Sequence, residues 1–225
     1  RLTFQDFTYY VTAVSDSNFR LTYDRIVEVS YNFDLTDSVG MGVVAAVTNG
    51  NGIGVADSDR NFDSDEFKNF YGKVSFEFEG DSIGFYGYTG REENSSSIKN
   101  EFFRIGPDFN IMIADTFRFW GNFLYGEDSN ARFSSSGNTG EIESWGGFLG
   151  ATYPFMDGWI ASLLYNRVKV YGKQELDANT LTVNLSYWLA RNFKLTAEVT
   201  ADLEDTSAPR PQKTHNGVLG IVLAF

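Results

Sequence analysis

The chain has no cysteine, four prolines and a single histidine. The first absence excludes a disulfide scaffold, a thiolate-based metal centre and covalent haem attachment. Scarce proline leaves long stretches able to keep an unbroken hydrogen-bond ladder. Basic residues are also short: 18 Lys and Arg against 30 Asp and Glu give a formal charge of -12. A chain of that sign repels phosphate backbones, so no nucleic-acid partner is expected. No run approaches the roughly 20 apolar residues of a membrane-spanning helix. Transmembrane strands alternate instead and keep a low average hydrophobicity, so a strand-built membrane protein stays open.

What the chain has in quantity is aromatic residues, at 16%, with 21 Phe and 12 Tyr beside 22 Gly. That composition favours strands. Val27, Val29, Tyr31, Phe33 and Leu35 alternate with Glu28, Ser30, Asn32 and Asp34, the period of two that marks a strand with one wet face. After Thr36-Asp37-Ser38 the alternation resumes at Val39, Met41, Val43, Ala45 and Val47, which makes a hairpin. Phe70 to Phe78 and Ile83 to Thr89 form a second, around Gly80-Asp81. Phe103 to Ile111 and Phe117 to Tyr125 form a third, around Ala114-Asp115. Trp145 to Phe155 with Trp159 to Arg167, and Leu181 to Leu189 with Phe193 to Val199, continue the series. A last strand runs from about His215 to Phe225, and a first covers about 2–14, with its phase clear at Phe7, Tyr9, Val11 and Ala13.

Connection length alternates as well. Short turns fall near 36–38, 80–81, 114–115, 156–158 and 190–192; long polar stretches fall near 14–22, 49–66, 90–100, 127–142, 169–178 and 203–215. Outer-membrane barrels join their strands by short periplasmic turns and long extracellular loops. Aromatic residues also crowd the short turns, as at Phe117, Phe119, Tyr153, Phe155 and Trp159, where a membrane interface would be met. The expectation is therefore all-β: one antiparallel up-and-down transmembrane β-barrel of about twelve strands over residues 1–225, whole or part of a larger barrel. Its loops would be extracellular, its termini periplasmic, and its surroundings outer-membrane lipid.

The terminus Leu219, Ile221, Leu223, Phe225 alternates and ends on Phe, which resembles the signal that presents Gram-negative outer-membrane barrels to the barrel assembly machinery. Val47-Thr48-Asn49-Gly50-Asn51-Gly52, an acidic stretch, and Tyr71-Gly72-Lys73-Val74 are similar to a segment of putative porins related to the phosphate-selective porins. That resemblance implies trimeric barrels with basic constrictions. This sequence departs from it in size and in charge, so phosphate selectivity is not carried over, and a homo-oligomer stays open.

By strand phase the wet face holds Glu28, Lys73, Glu77, Tyr86, Tyr88, Arg104, Asp108, Asn110, Arg118, Asn122, Lys194 and Glu198 as pore-lining residues. Counting across the turns sets Lys73 opposite Tyr88 and Arg118 opposite Asn110, one step from Asp108. Acids outnumber bases there, so a channel for ions or small hydrophilic solutes with modest cation preference is expected. The alternatives are that these charges pair and fill the lumen, or that the barrel is a non-conducting scaffold for a partner protein such as an electron carrier. Asp57, Asp59, Asn61 and Asp63 present oxygen at every second position, a spacing suited to Ca²⁺. Phe62 and Lys68, however, stand where an EF-hand needs Gly and Glu. No other cofactor is implied. His215 is followed by Asn216-Gly217 and lacks the His-x-Ser arrangement of outer-membrane phospholipases, so no enzymatic activity is expected.

Overall fold

The computed structural model describes residues 26–49, 67–93, 97–131, 140–172, 177–203 and 215–223. Eleven strands run through them: β1 (Ile26–Thr36), β2 (Val39–Thr48), β3 (Asn69–Phe78), β4 (Asp81–Glu93), β5 (Lys99–Ile113), β6 (Phe117–Asp128), β7 (Ile142–Met156), β8 (Trp159–Val170), β9 (Ala178–Ala190), β10 (Phe193–Asp202) and β11 (Asn216–Leu223). Each pairs antiparallel with the next, so spatial order equals chain order and the sheet is an up-and-down meander. β1 and β11 are its margins among the described residues. The strand expected at about 2–14 lies outside the described residues, as do Phe225 and the acidic positions Asp57, Asp59, Asn61 and Asp63.

Alternation along each strand sorts the two faces. On β4, Phe85 is 53% exposed while its neighbour Tyr86 is 6% exposed. On the same face as Phe85 stand Leu149, Leu163, Val183 and Val199, each large, apolar and exposed. Leaving such side chains in water forfeits about 1.5–3 kcal/mol apiece, so this outer face suits an apolar solvent. The inner face inverts the usual core: Asn69, Asn100, Asp128, Thr48 and Ser144 are among its most buried side chains. Hydrogen bonds there skip a strand, as from Thr48 on β2 to Tyr88 on β4 and from Tyr86 on β4 to Asn122 on β6. Such contacts need the sheet to curl toward its polar side, as a barrel wall does.

On β6 the outer row is apolar from Phe117 to Tyr125 and becomes charged at Glu127. That run spans about 27 Å along the strand, or about 21 Å of height at a tilt near 40°, close to the roughly 25 Å apolar band of a membrane barrel. Near the short turns, rings follow one another around the outside: Phe119 to Phe117, Phe117 stacked on Tyr153 at 4.3 Å, then Phe155, Trp159 and Tyr187. A charged row bounds the other end, with Arg91, Glu101, Glu127 and Glu143 on β4 to β7.

The register differs from the sequence count. Lys73 lies opposite Tyr86, Arg118 opposite Met112, and Asn110 opposite Trp120. The β3–β4 turn is Glu79-Gly80, both with positive φ (51° and 89°), the conformation that matches the twist of a two-residue hairpin. Asp81 thus belongs to β4 and pairs with Phe78. In the β5–β6 turn Ala114 and Asp115 take positive φ, Thr116 N–H donates to Ile113 O at 3.2 Å, and Phe117 pairs with Ile113. Each displacement moves the pairing by two, which leaves every side chain on its expected face.

Phe85→Lys separates an apolar-solvent wall from a water-facing one. In a bilayer the substitution is expected to cost about 2–4 kcal/mol, measured by denaturant unfolding from vesicles. A cost within about 0.5 kcal/mol, as for an ordinary water-exposed site, would contradict the assignment.

Candidate functional site

The inner face divides by depth. Toward the short turns it is open: Glu77 and Arg118 are exposed, and Asn110 and Lys194 are half-buried, as is Asn122 opposite Asp108 at mid-height. At mid-height Lys73 on β3 reaches past β4 to Asp108 on β5, with Nζ to Oδ1 at 2.8 Å. The pair lies across Gly84, where a Cβ would stand 2.7 Å from Lys73 Cε and 2.8 Å from Asp108 Oδ2. About a quarter of each side chain meets solvent. The pair thus presents a lysine and an aspartate side by side, nearly neutral as a unit.

Beside it, Tyr71 and Tyr86 stack with ring centres 6.5 Å apart. The Tyr86 hydroxyl lies 2.9 Å from Asn122 Oδ1 and 3.1 Å from Phe123 O. That carbonyl has a local cause. Pro107 brings no N–H, and the β5–β6 pairing is interrupted between Ile105↔Tyr125 and Asp108↔Asn122. A tyrosine hydroxyl on the inner face fills the gap in the ladder.

Toward the long connections the face is closed. Arg104 is 4% exposed, and its Nη2 donates to Asp128 Oδ2 at 2.6 Å. Its Nη1 donates to the carbonyls of Phe103 (3.0 Å) and Glu127 (2.8 Å). Gly126 makes room: a Cβ there would stand 2.7 Å from Arg104 Cδ. The second oxygen of Asp128 accepts from Asn100 Nδ2 at 2.7 Å, and Asn100 Oδ1 accepts the backbone N–H of Asn130 at 2.8 Å. Ser129 is fastened to Glu101 by two further bonds. Ser129 and Asn130 are thereby held in place, and Ala131 packs with Tyr86, Leu124, Ile142, Val168 and Val170 in an apolar cluster on the inner face. Asn69 on β3 donates to Tyr88 and to Glu92, each at 3.1 Å. Asp177 accepts from Lys169 Nζ at 2.6 Å and from Val170 N at 2.8 Å.

The residues expected to line a pore therefore fall into two groups. Glu28, Glu77 and Arg118 are exposed; Lys73, Asp108, Asn110, Asn122 and Lys194 are half-buried. Tyr86, Tyr88, Arg104 and Glu198 are buried, with Glu198 held in a polar ladder with Asn184, Thr196 and Ser186 on β9 and β10. Glu92, Asn100, Asp128 and Asp177 fall within the long polar stretches of the sequence, and Asn69 just before the alternation that begins at Phe70. The signal for Asp128 was present in the phase of Asn122, Leu124, Gly126 and Asp128, which carries β6 beyond Tyr125. His215 Nδ1 accepts the backbone N–H of Asp202 at 3.3 Å at the rim of β10.

No family model and no curated protein matches the chain. Among solved structures it is similar to a porin, at 11% identity and TM-score 0.58, covering 84% of this chain and 60% of that one. It is also similar to the outer membrane channel DcaP of Acinetobacter baumannii, at 11% identity and TM-score 0.56, covering 86% and 62%. An outer membrane channel from Pseudomonas putida F1 aligns at 12% identity and TM-score 0.40. The chain thus spans about three-fifths of the length of the first two structures. The shared property is the fold: an antiparallel, up-and-down, porin-like barrel wall.

Asp128→Leu removes the counter-ion of a buried guanidinium and is expected to cost about 3–5 kcal/mol. The double variant Arg104→Met with Asp128→Leu is expected to recover most of that loss, since two apolar side chains leave no stranded charge. Urea unfolding of the three proteins in vesicles measures the difference.

Proposed function

We propose that the protein forms a Gram-negative outer-membrane channel for passive diffusion of ions or small hydrophilic solutes, with its long connections extracellular and its short turns periplasmic. The observation that carries this reading is the inverted wall: an exposed apolar outer face backed by an inner face of charged and amide side chains. The wet path follows Glu28, Glu77, Lys73, Asp108, Asn110, Arg118, Asn122 and Lys194, and narrows toward the closed end at Arg104 and Asp128.

Pairing sets the preference. Lys73 with Asp108 and Arg104 with Asp128 largely cancel, which leaves Glu28, Asp34 and Glu77 on β1 and β3 facing Arg118 and Lys194 on the remaining wall. The balance is acidic, so the channel is modestly cation-preferring. Solutes hydrogen-bonding through hydroxyl or amide groups meet Asn110 and Asn122 along the same path.

A second reading, a non-conducting scaffold that holds a partner protein, draws on the filled inner face near β6 and the residues after it. Planar-bilayer recording distinguishes the two. Discrete conductance steps with a cation-side reversal potential across a KCl gradient are expected of the channel. Asp108→Asn then uncovers Lys73 and should move the reversal potential toward the anion side. One charge about 5 Å from the path in water contributes about 0.8 kcal/mol, roughly fourfold in local ion concentration. A folded, inserted and silent protein would contradict the channel and support the scaffold.

A further inference from the structure

Where the inner face passes from its open to its closed end stands the Lys73–Asp108 pair, each side chain with about a quarter of its surface in solvent. The two groups do not exhaust one another. An ammonium carries three N–H donors, and Lys73 Nζ sends one to Asp108 Oδ1 at 2.8 Å. The second carboxylate oxygen, Oδ2, lies over Gly84, 2.8 Å from where a Cβ would stand. With no side chain on that residue, both charges lie low against the wall and face the path together.

Their immediate surroundings are uncharged. The next inner positions are Tyr71 and Ser75 on β3 and Gly106 and Asn110 on β5. Opposite the pair stand Val44 on β2 and Asn122 on β6. Glu77 and Arg118 follow further toward the short turns, Glu28 is two strands away on β1, and Arg104 is held by Asp128. A simple cation drawn to Asp108 meets Lys73 at nearly the same distance, and a simple anion drawn to Lys73 meets Asp108, so attraction and repulsion largely cancel.

A small zwitterion escapes that cancellation. Laid head to tail beside the pair, its carboxylate accepts a second N–H of Lys73 while its ammonium donates to Asp108 Oδ2, and the pair itself stays intact. In an α-amino acid one carbon joins the two charged groups and holds their N and O atoms about 3 Å apart, close to the 2.8 Å between Lys73 Nζ and Asp108 Oδ1. Building on the reading of the inner face as a solute path, we propose that the Lys73–Asp108 pair is a binding site for small zwitterionic α-amino acids on that path.

The test compares alanine with lactamide, isomers of one size of which the first is a zwitterion and the second uncharged at neutral pH. Each is added to the protein carrying KCl current in a planar bilayer, and the fall in conductance with concentration gives its apparent affinity. Alanine should bind about tenfold more tightly than lactamide, as two partly wetted charge contacts allow. Lys73→Met with Asp108→Asn removes one charge of each sign and should bring alanine down to the affinity of lactamide. A conducting protein that treats the two isomers alike, or a double variant that keeps the preference, would overturn the site and leave the channel standing. A folded, inserted protein that passes no current would overturn the channel and this site with it.

Discussion

A backbone amide in hydrocarbon has no water to turn to, so in the membrane wall proposed here every N–H and C=O must find a partner within the protein. The succession of antiparallel pairs from β1 to β11 and the scarcity of proline meet that constraint. Once the ladder is continuous, period two follows, and each strand can place one row in lipid and the other against water. The interruption at Pro107 illustrates the rule, because the carbonyl of Phe123 is taken up by the hydroxyl of Tyr86 two strands away. The outer aromatic chain from Phe119 to Tyr187 and the charged row from Arg91 to Glu143 mark where that apolar requirement ends.

Inside the wall the same device recurs at two depths. A long cation lies flat across a glycine to reach a carboxylate: Lys73 over Gly84 to Asp108, and Arg104 over Gly126 to Asp128. The first pair stays partly wetted, with about a quarter of each side chain in contact with solvent. The second is dry, holds two backbone carbonyls as well, and through Asn100 is tied to the backbone of Asn130. Depth decides the role: a paired charge in contact with water tunes a local field, whereas a fully dry one must be satisfied completely or destabilise the wall.

Much of this was legible in the sequence. The alternation at Val27 to Leu35, Phe70 to Phe78 and Phe117 to Tyr125 placed strands and faces, and unequal connections gave the up-and-down order. Strand ends were harder to read at the long-connection side. Glu92, Asn100, Asp128 and Asp177 look like loop residues because polar side chains are what this fold buries there. The register slipped by two at the β3–β4 turn because Glu79, a residue with no special liking for positive φ, occupies the left-handed region beside Gly80. Pairs that skip a strand, such as Lys73 with Asp108, depend on how far the sheet curls, and spacing along the chain does not contain that quantity. The apolar inner cluster around Leu124 and Val168 escaped for the same reason.

Because the chain has no native cysteine, single cysteines can report on its two faces one site at a time. Spin labels at Phe85, Leu149, Val183 and Leu195 on the outer rows, and at Lys73, Asn110, Asn122 and Lys194 on the inner rows, would be compared in vesicles. The measurement is relaxation by oxygen, which concentrates in hydrocarbon, against relaxation by a water-soluble nickel chelate. The inverted wall predicts oxygen access at the outer set and chelate access at the inner set, alternating residue by residue along each strand. Outer sites shielded from both reagents would place that face against a second protein layer and contradict the membrane wall.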